Sequence, residues 1–167
     1  MTAIACFNGQ INGYVMFEEV ENNRKIECLV TIKLSNFLPN RTHAIHIHEY
    51  GDLRQGCKSL GGHFNPFKKQ HGSIFNNPNK RHAGDLINNI TSNEYGNVFI
   101  QYIDNLVKVT GKNSILGRSV VIHDGIDDLG MGGMRDGKII NKEIHENSLL
   151  TGNAGCRIDC AIIGIAN

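Results

Sequence analysis

Ile26, Cys28, Val30, Ile32 and Leu34 recur at every second position, alternating with Glu27, Leu29, Thr31 and Lys33. A period of two belongs to a half-buried β-strand, because successive side chains leave an extended backbone on opposite faces. Similar segments run from Thr2 to Gly9, Gly13 to Val20, Thr42 to Glu49 and Asp85 to Ile90. Others run from Asn97 to Ile103, Leu116 to His123 and Cys156 to Ala166. Asn22-Asn23 marks a tight turn before the long alternating strand, since asparagine tolerates positive φ. No stretch has a convincing amphipathic helical pattern. Eight short strands and two long loops predict an all-β, eight-stranded Greek-key barrel or sandwich. On such strands Cys28, and with it Cys6, read as small buried hydrophobes. The 167 residues fit one domain, 1–167, with room for a core of its own.

Lys and Arg number 17 against 16 Asp and Glu, with no basic run or acidic tail. That balance argues against nucleic-acid or membrane-surface partners. No run reaches membrane-spanning length, and residues 1–7 lack a leader pattern. An intracellular chain is expected, with its 5 cysteines reduced by default. The odd number leaves at least one free thiol if bridges are intramolecular.

Along Thr42 to Glu49, Ile45 and Ile47 share one face and His46 and His48 the other. The isoleucines should face the core and the imidazoles project outward. From Tyr50 to about Gly84 periodicity stops, and Gly51, Gly56, Gly61, Gly62, Gly72, Pro66 and Pro78 accumulate. Phe64, Phe67 and Phe75 argue against disorder there, and ordered loops of such length are usually functional. Asp124 to Gly155 forms a second irregular stretch. His63 and His71 lie in the first loop, His82 and Asp85 form His-x-x-Asp at its end, and His123 closes a strand. Six imidazoles gathered without a metal would be mutually costly. Four imidazole nitrogens suit a tetragonal copper site, and three histidines with an aspartate suit tetrahedral zinc. Seven groups serve both only if one is shared, and a deprotonated imidazole can bridge two metals.

The blocks His46-Ile47-His48-Glu49-Tyr50-Gly51-Asp52, Gly62-His63-Phe64-Asn65-Pro66 and Arg81-His82-Ala83-Gly84-Asp85-Leu86 carry a resemblance. So do Gly117-Arg118-Ser119-Val120-Val121-Ile122-His123, Asp127-Asp128-Leu129-Gly130 and Thr151-Gly152-Asn153-Ala154-Gly155-Cys156-Arg157. Over essentially its whole length the chain resembles the intracellular-type copper/zinc superoxide dismutases. The resemblance implies copper held by His46, His48, His63 and His123, and zinc by His63, His71, His82 and Asp85. It implies one of each metal per subunit, with His63 bridging and serving as proton carrier. Arg157 would attract and orient the superoxide anion, and Asp127 would link a copper histidine to a zinc histidine. Cys57 and Cys160 would form the disulfide. A homodimer is implied, with contacts near Gly51, Leu116-Gly117 and Ile163-Gly164-Ile165, in the cytoplasm and with copper delivered by a chaperone. Asparagine- and isoleucine-rich usage points to an AT-rich genome such as that of a large DNA virus, which would place the protein in host cytoplasm.

Three features depart from the family pattern. Residues 134–150 form a longer loop than typical members carry, with Leu150 where a lysine is often found. Arg135, Lys138 and Lys142 are the candidates to replace its charge, and His145 reads as a surface residue. The loop between His71 and His82 is also longer, which costs little in closure entropy. Cys156, four residues before Cys160, is a competitor for Cys57. A ligand-stripped binding decoy, a copper-chaperone domain and a structural zinc protein are the competing classes. The complete ligand set, Arg157 and the lack of a Cys-x-x-Cys pair argue against all three.

Overall fold

The computed structural model describes residues 1–167 except Asn23, Asn76 and Pro78, so the Asn22-Asn23 turn lies partly outside the described residues. The long alternating segment forms strand β3 (Lys25–Ser35). It pairs antiparallel with β2 (Asn12–Asn22) and with β7 (Val98–Asp104). The remaining strands of the main sheet are β1 (Thr2–Asn8), β4 (Thr42–His48), β6 (Asn89–Thr91), β8 (Ser119–His123) and β11 (Arg157–Ala166). Their order is β6-β4-β8-β11-β1-β2-β3-β7, eight strands in all. The two edge strands, β6 and β7, are consecutive in the chain. The turn between them is closed by Gly96 N–H to Asn93 O (3.0 Å) and Asn93 N–H to Asn97 O (2.9 Å), so the sheet curls into a nearly closed barrel. Closing the sheet removes most of its unpaired edge.

Alternation decides the barrel interior. Ala3, Ala5 and Phe7 of β1, Val30 and Ile32 of β3, Ile45 and Ile47 of β4 and Val120 and Ile122 of β8 are all buried in one cluster. Cys28 joins them, whereas Cys6 points to the other face of β1 and is exposed, contrary to the expectation for it. Phe7, not Cys6, has the inward parity on that strand.

The imidazole face of β4 does not project into solvent. His46 is fully buried and His48 nearly so, because the long loop folds back across them. Phe64 N–H reaches Ile47 O at 2.8 Å, Glu49 N–H reaches Gly62 O at 2.9 Å and Gly84 N–H reaches Phe64 O at 2.9 Å. Gly84 is required for this approach, since a Cβ there would lie 2.3 Å from Ile47 O. A short strand, β5 (Arg54–Cys57), lies within the same loop. The expected strand from Asp85 to Ile90 is mostly a tight turn. Ala83–Asp85 is a single 3-10 turn, and of that stretch only Asn89 and Ile90, in β6, pair with β4. Asp85 is bent inward there because its Oδ2 accepts from the backbone N–H groups of His82 (2.8 Å) and Gly72 (3.1 Å).

The second loop also contains structure. A small hairpin of β9 (Met134–Arg135) and β10 (Lys138–Ile139) precedes helix α1 (Lys142–Thr151). Asn141 caps the helix by accepting from Ile144 N–H, and Gly152, at φ +66°, ends it. Both are ordinary helix boundary residues. The helix was not expected because it packs little apolar surface; Ser148 is its buried residue. No helix among the described residues is long and apolar enough to cross a membrane.

Candidate metal centre

Three adjacent strands deliver the first group of side chains. His46 and His48 stand on β4, and His123 ends β8, on the face that Val121 shares with His46 across the pair. Arg157 opens β11 directly opposite His123. The loop adds His63, whose backbone forms an isolated bridge with His48. His46, His48, His63 and His123 bring ligand-competent atoms within 4.8 Å of one another, all buried. His63, His71, His82 and Asp85 form a second such group, so His63 belongs to both.

The outer hydrogen bonds set which ring nitrogen is free. Gly61 O lies 3.0 Å from His48 Nδ1 and Gly155 O lies 3.2 Å from His123 Nδ1. A carbonyl only accepts, so both Nδ1 atoms carry hydrogen and both Nε2 atoms keep a lone pair. Those two Nε2 atoms face each other at 3.4 Å. His46 is reversed: its Nε2–H donates to Asp127 Oδ2 at 2.7 Å, and its Nδ1 is buried without a partner. A buried lone pair turned into a cluster of other lone pairs is the arrangement a soft, imidazole-binding cation requires.

The second group converges on one oxygen. Asp85 Oδ1 lies 3.0 Å from His63 Nδ1, 2.9 Å from His71 Nδ1 and 3.1 Å from His82 Nδ1. The His82 pair has the distance of an ion pair but not the alignment of a hydrogen bond, since His82 Nδ1 is otherwise unpartnered. Separations near 3 Å are close to the edge of a tetrahedron with ligands about 2.0 Å from its centre, as for zinc. Asp127 ties the groups together, accepting from His46 at Oδ2 and from His71 Nε2 at Oδ1 (2.8 Å). Asn88 Nδ2–H, fully buried, steadies Asp127 Oδ2 at 3.0 Å. His46, His71 and Asp127 also lie within ligand distance of one another. Those contacts use the Nε2–H groups, which leaves each Nδ1 for the groups already described.

Protonation follows from burial and these partners. Burial first, then the neighbouring His63, pushes His46 down to about 3 against the pull of Asp127. The same two causes take His48 down to about 2. Burial takes His123 down to about 4. His71 goes the other way: burial opposes its charge, but hydrogen bonds to Asp127 and Asp85 raise it to about 10. With carboxylates on both nitrogens it is an imidazolium in the metal-free protein, and its proton stands where a cation would. Burial would raise Asp127 and Asp85, yet their histidine hydrogen bonds outweigh it and hold both below the ordinary carboxylate range.

Folded His46, His48 and His123 hold protons less tightly than the unfolded side chain at 6.5, so between about pH 4 and 6.5 the unfolded state binds more protons. Stability then falls as pH falls. His71 contributes stability that is complete below 6.5 and lost as pH rises towards about 10. Thermal unfolding of the metal-free protein is therefore expected to peak near pH 6.5 and to decline on both sides. A flat melting temperature between pH 4 and 9 contradicts the assignment.

Above the first group lies a pocket of about 360 Å³, lined by His48, His63, His123 and Arg157 and, from the second loop, by Asn147, Thr151 and Asn153. Arg157 donates to Cys57 O (2.6 Å) and Gly61 O (2.5 Å), which fixes its guanidinium beside the imidazoles. Cys57 is held in turn by a disulfide to Cys160, with Cys156 left as an exposed free thiol. The bridge closes 103 residues of separation and ties the first loop to β11. Constraining so long a loop is worth roughly 2–4 kcal/mol.

The seven histidine and aspartate candidates, with Asp127, Arg157 and the Cys57–Cys160 bridge, lie in this one region. Sequence reasoning missed the residues that hold the second loop against it. Asp128 Oδ1 accepts from Ser148 Oγ and its Oδ2 from Asn153 Nδ2 (2.6 Å), while His71 N–H donates to Leu149 O (2.7 Å). The Asn141 and Gly152 caps were the available signal for the helix that makes these contacts. His145 is half-buried, with its Nδ1 3.0 Å from Gly132 O.

A nearly closed antiparallel barrel carrying two histidine groups with a shared member defines a binuclear metalloprotein. The family model described as copper/zinc superoxide dismutase (SODC) matches residues 11–163. Superoxide dismutase [Cu-Zn] 5 of Dictyostelium discoideum is 42% identical, over 99% of this chain and 99% of that one. The Superoxide dismutase [Cu-Zn] of Paramecium bursaria Chlorella virus 1 is 41% identical, over 99% of this chain and 79% of its own length. That of Saccharomyces cerevisiae is 40% identical, over 99% and 98%. Among solved structures, the clock protein EA4 superposes with a TM-score of 0.81 and 36% identity, over 99% of this chain and 94% of that one. The chain belongs to the copper/zinc superoxide dismutase family. It is an oxidoreductase that uses copper and zinc to convert superoxide to dioxygen and hydrogen peroxide.

Proposed function

We propose that His46, His48, His63 and His123 hold the copper and that His63, His71, His82 and Asp85 hold the zinc, one of each per chain. The observation that carries this is the membership of His63 in both groups, with its Nδ1 committed to the Asp85 side and its Nε2 left for the other. Bound copper supplies the one-electron oxidation and reduction of superoxide, and bound zinc supplies a fixed charge without redox chemistry.

The chain's own residues do the rest. Arg157 keeps its charge at all working pH values and draws the anion down the pocket towards His48, His63 and His123. Its hydrogen bonds to Cys57 O and Gly61 O prevent it from swinging away. His63 Nε2, turned to the pocket, would be the atom that holds a proton and yields it to the reduced product. Asp127 keeps His46 and His71 in the tautomers that present Nδ1 inward.

The protein works as a single domain spanning residues 1–167 and as a homodimer in the cytoplasm, supplied with copper by a chaperone. Exposed Tyr50 and Ile165, and the close backbone contact of Gly51 with Gly117, support the dimer surface. Superoxide decay followed by pulse radiolysis, with metal content measured in parallel, tests the assignment. The loaded protein should consume superoxide catalytically. His123→Ala should keep zinc while losing copper and nearly all turnover, and unchanged turnover in that variant overturns the copper assignment.

A further inference from the structure

We infer that Lys58 is a second steering cation for the anionic substrate, standing beside Arg157 on the approach to the metal centre. The inference rests on the superoxide reading above. The pocket over the histidines has no carboxylate in its lining, and Arg157 is its one permanently charged residue. Arg157 and Gly155 also line an adjoining outer cavity of about 500 Å³, together with Gln55, Cys57, Lys58 and Cys156. Lys58 is exposed and Arg157 half-buried, so an anion entering by that cavity would pass Lys58 on its way to Arg157.

The covalent geometry holds the two cations together. Arg157 donates to the carbonyl oxygen of Cys57, and that carbonyl belongs to the peptide group whose nitrogen is that of Lys58. The disulfide to Cys160 and the Lys58 N–H to Gln55 O bond (3.3 Å) restrain this backbone. The side chain of Lys58 is exposed, and none of the ion pairs among the described residues involves it. The cations of the long second loop are worse placed. Lys142 is paired with Glu146 at 3.6 Å, and neither it nor Arg135 nor Lys138 lines either cavity. Leu150, at 66% exposure, contributes no charge. Steering in this chain therefore enters from the first loop rather than from the second.

A unit charge about 10 Å from an approaching anion changes its local concentration about two-fold at low salt, where screening is weak. Lys58→Gln should lower the second-order rate of superoxide consumption about two-fold, and Lys58→Glu about four-fold. Both differences should shrink towards nothing at high ionic strength. Lys58→Arg should restore the rate, and Lys138→Gln and Lys142→Gln should leave it unchanged. Cys156, exposed in the same cavity, gives a readout independent of metals and turnover. In a Cys6→Ser background, its rate with an anionic aromatic disulfide is compared with its rate with a cationic disulfide, in the metal-free protein. Lys58→Glu should lower the anionic-to-cationic ratio several-fold. An unchanged ratio, or a salt dependence that follows Lys138 or Lys142 instead, overturns the role of Lys58. An inactive loaded wild-type protein would refute the superoxide reading, while the thiol ratio would still decide whether Lys58 sets the potential.

Discussion

His63→Ala is expected to weaken both metal groups at once, each by more than about 100-fold in affinity, because even an outer partner of a ligand is worth roughly 10–100-fold. The expectation follows from one ring serving two clusters. His63 Nδ1 lies against Asp85 Oδ1, and the same side chain completes the group of His46, His48 and His123. A ligand confined to one group behaves differently. His48→Ala should reduce copper affinity and leave zinc affinity close to that of the parent, since His48 takes no part in the Asp85 cluster. Competition titrations with a chromophoric chelator, run separately for the two metals, check both variants. Equal zinc affinity in His63→Ala and the parent protein would remove His63 from the second group. The fold should survive, because His63 lies outside the hydrophobic core cluster.

Arg157→Ala should lower the second-order rate of superoxide consumption about ten-fold or more at low salt, within the range by which a focused field raises an association rate. The dependence of the rate on ionic strength should flatten with it. Arg157→Lys should recover only part of the rate. A lysine restores the charge, but a single ammonium cannot reproduce the planar fork that reaches Cys57 O and Gly61 O together. Metal content should be unchanged in both variants, because Arg157 belongs to neither ligand group. A rate and salt dependence like those of the parent would show that the approach path bypasses this arginine.

Strand parity explains which expectations held. Ile45 and Ile47 face the barrel interior, and His46 and His48 lie together on the other side. The exposure of that second face could not be read the same way. It depends on backbone contacts from residues about 17 and 37 positions further on, Phe64 and Gly84 lying against Ile47. Cys6 failed for a related reason, since parity on a strand is legible only once one inward residue is known. Helix α1 escaped notice because amphipathicity was the criterion, whereas the helix is held by caps and by polar contacts through Ser148 and Asp128.

By itself the sequence determined most of the strands, the seven candidate ligand residues and the family they resemble, because period-two alternation and ligand type are local properties of the chain. Only the tertiary structure decided what those residues do to one another. Asp127 and the carbonyls of Gly61 and Gly155 select the free nitrogen of each imidazole, and the loop that crosses β4 removes the cluster from water. The peptide group at Cys57 brings Lys58 up beside Arg157. Tautomer, burial and the spacing of charges all depend on groups distant in sequence meeting in space, and for that reason no local pattern encodes them.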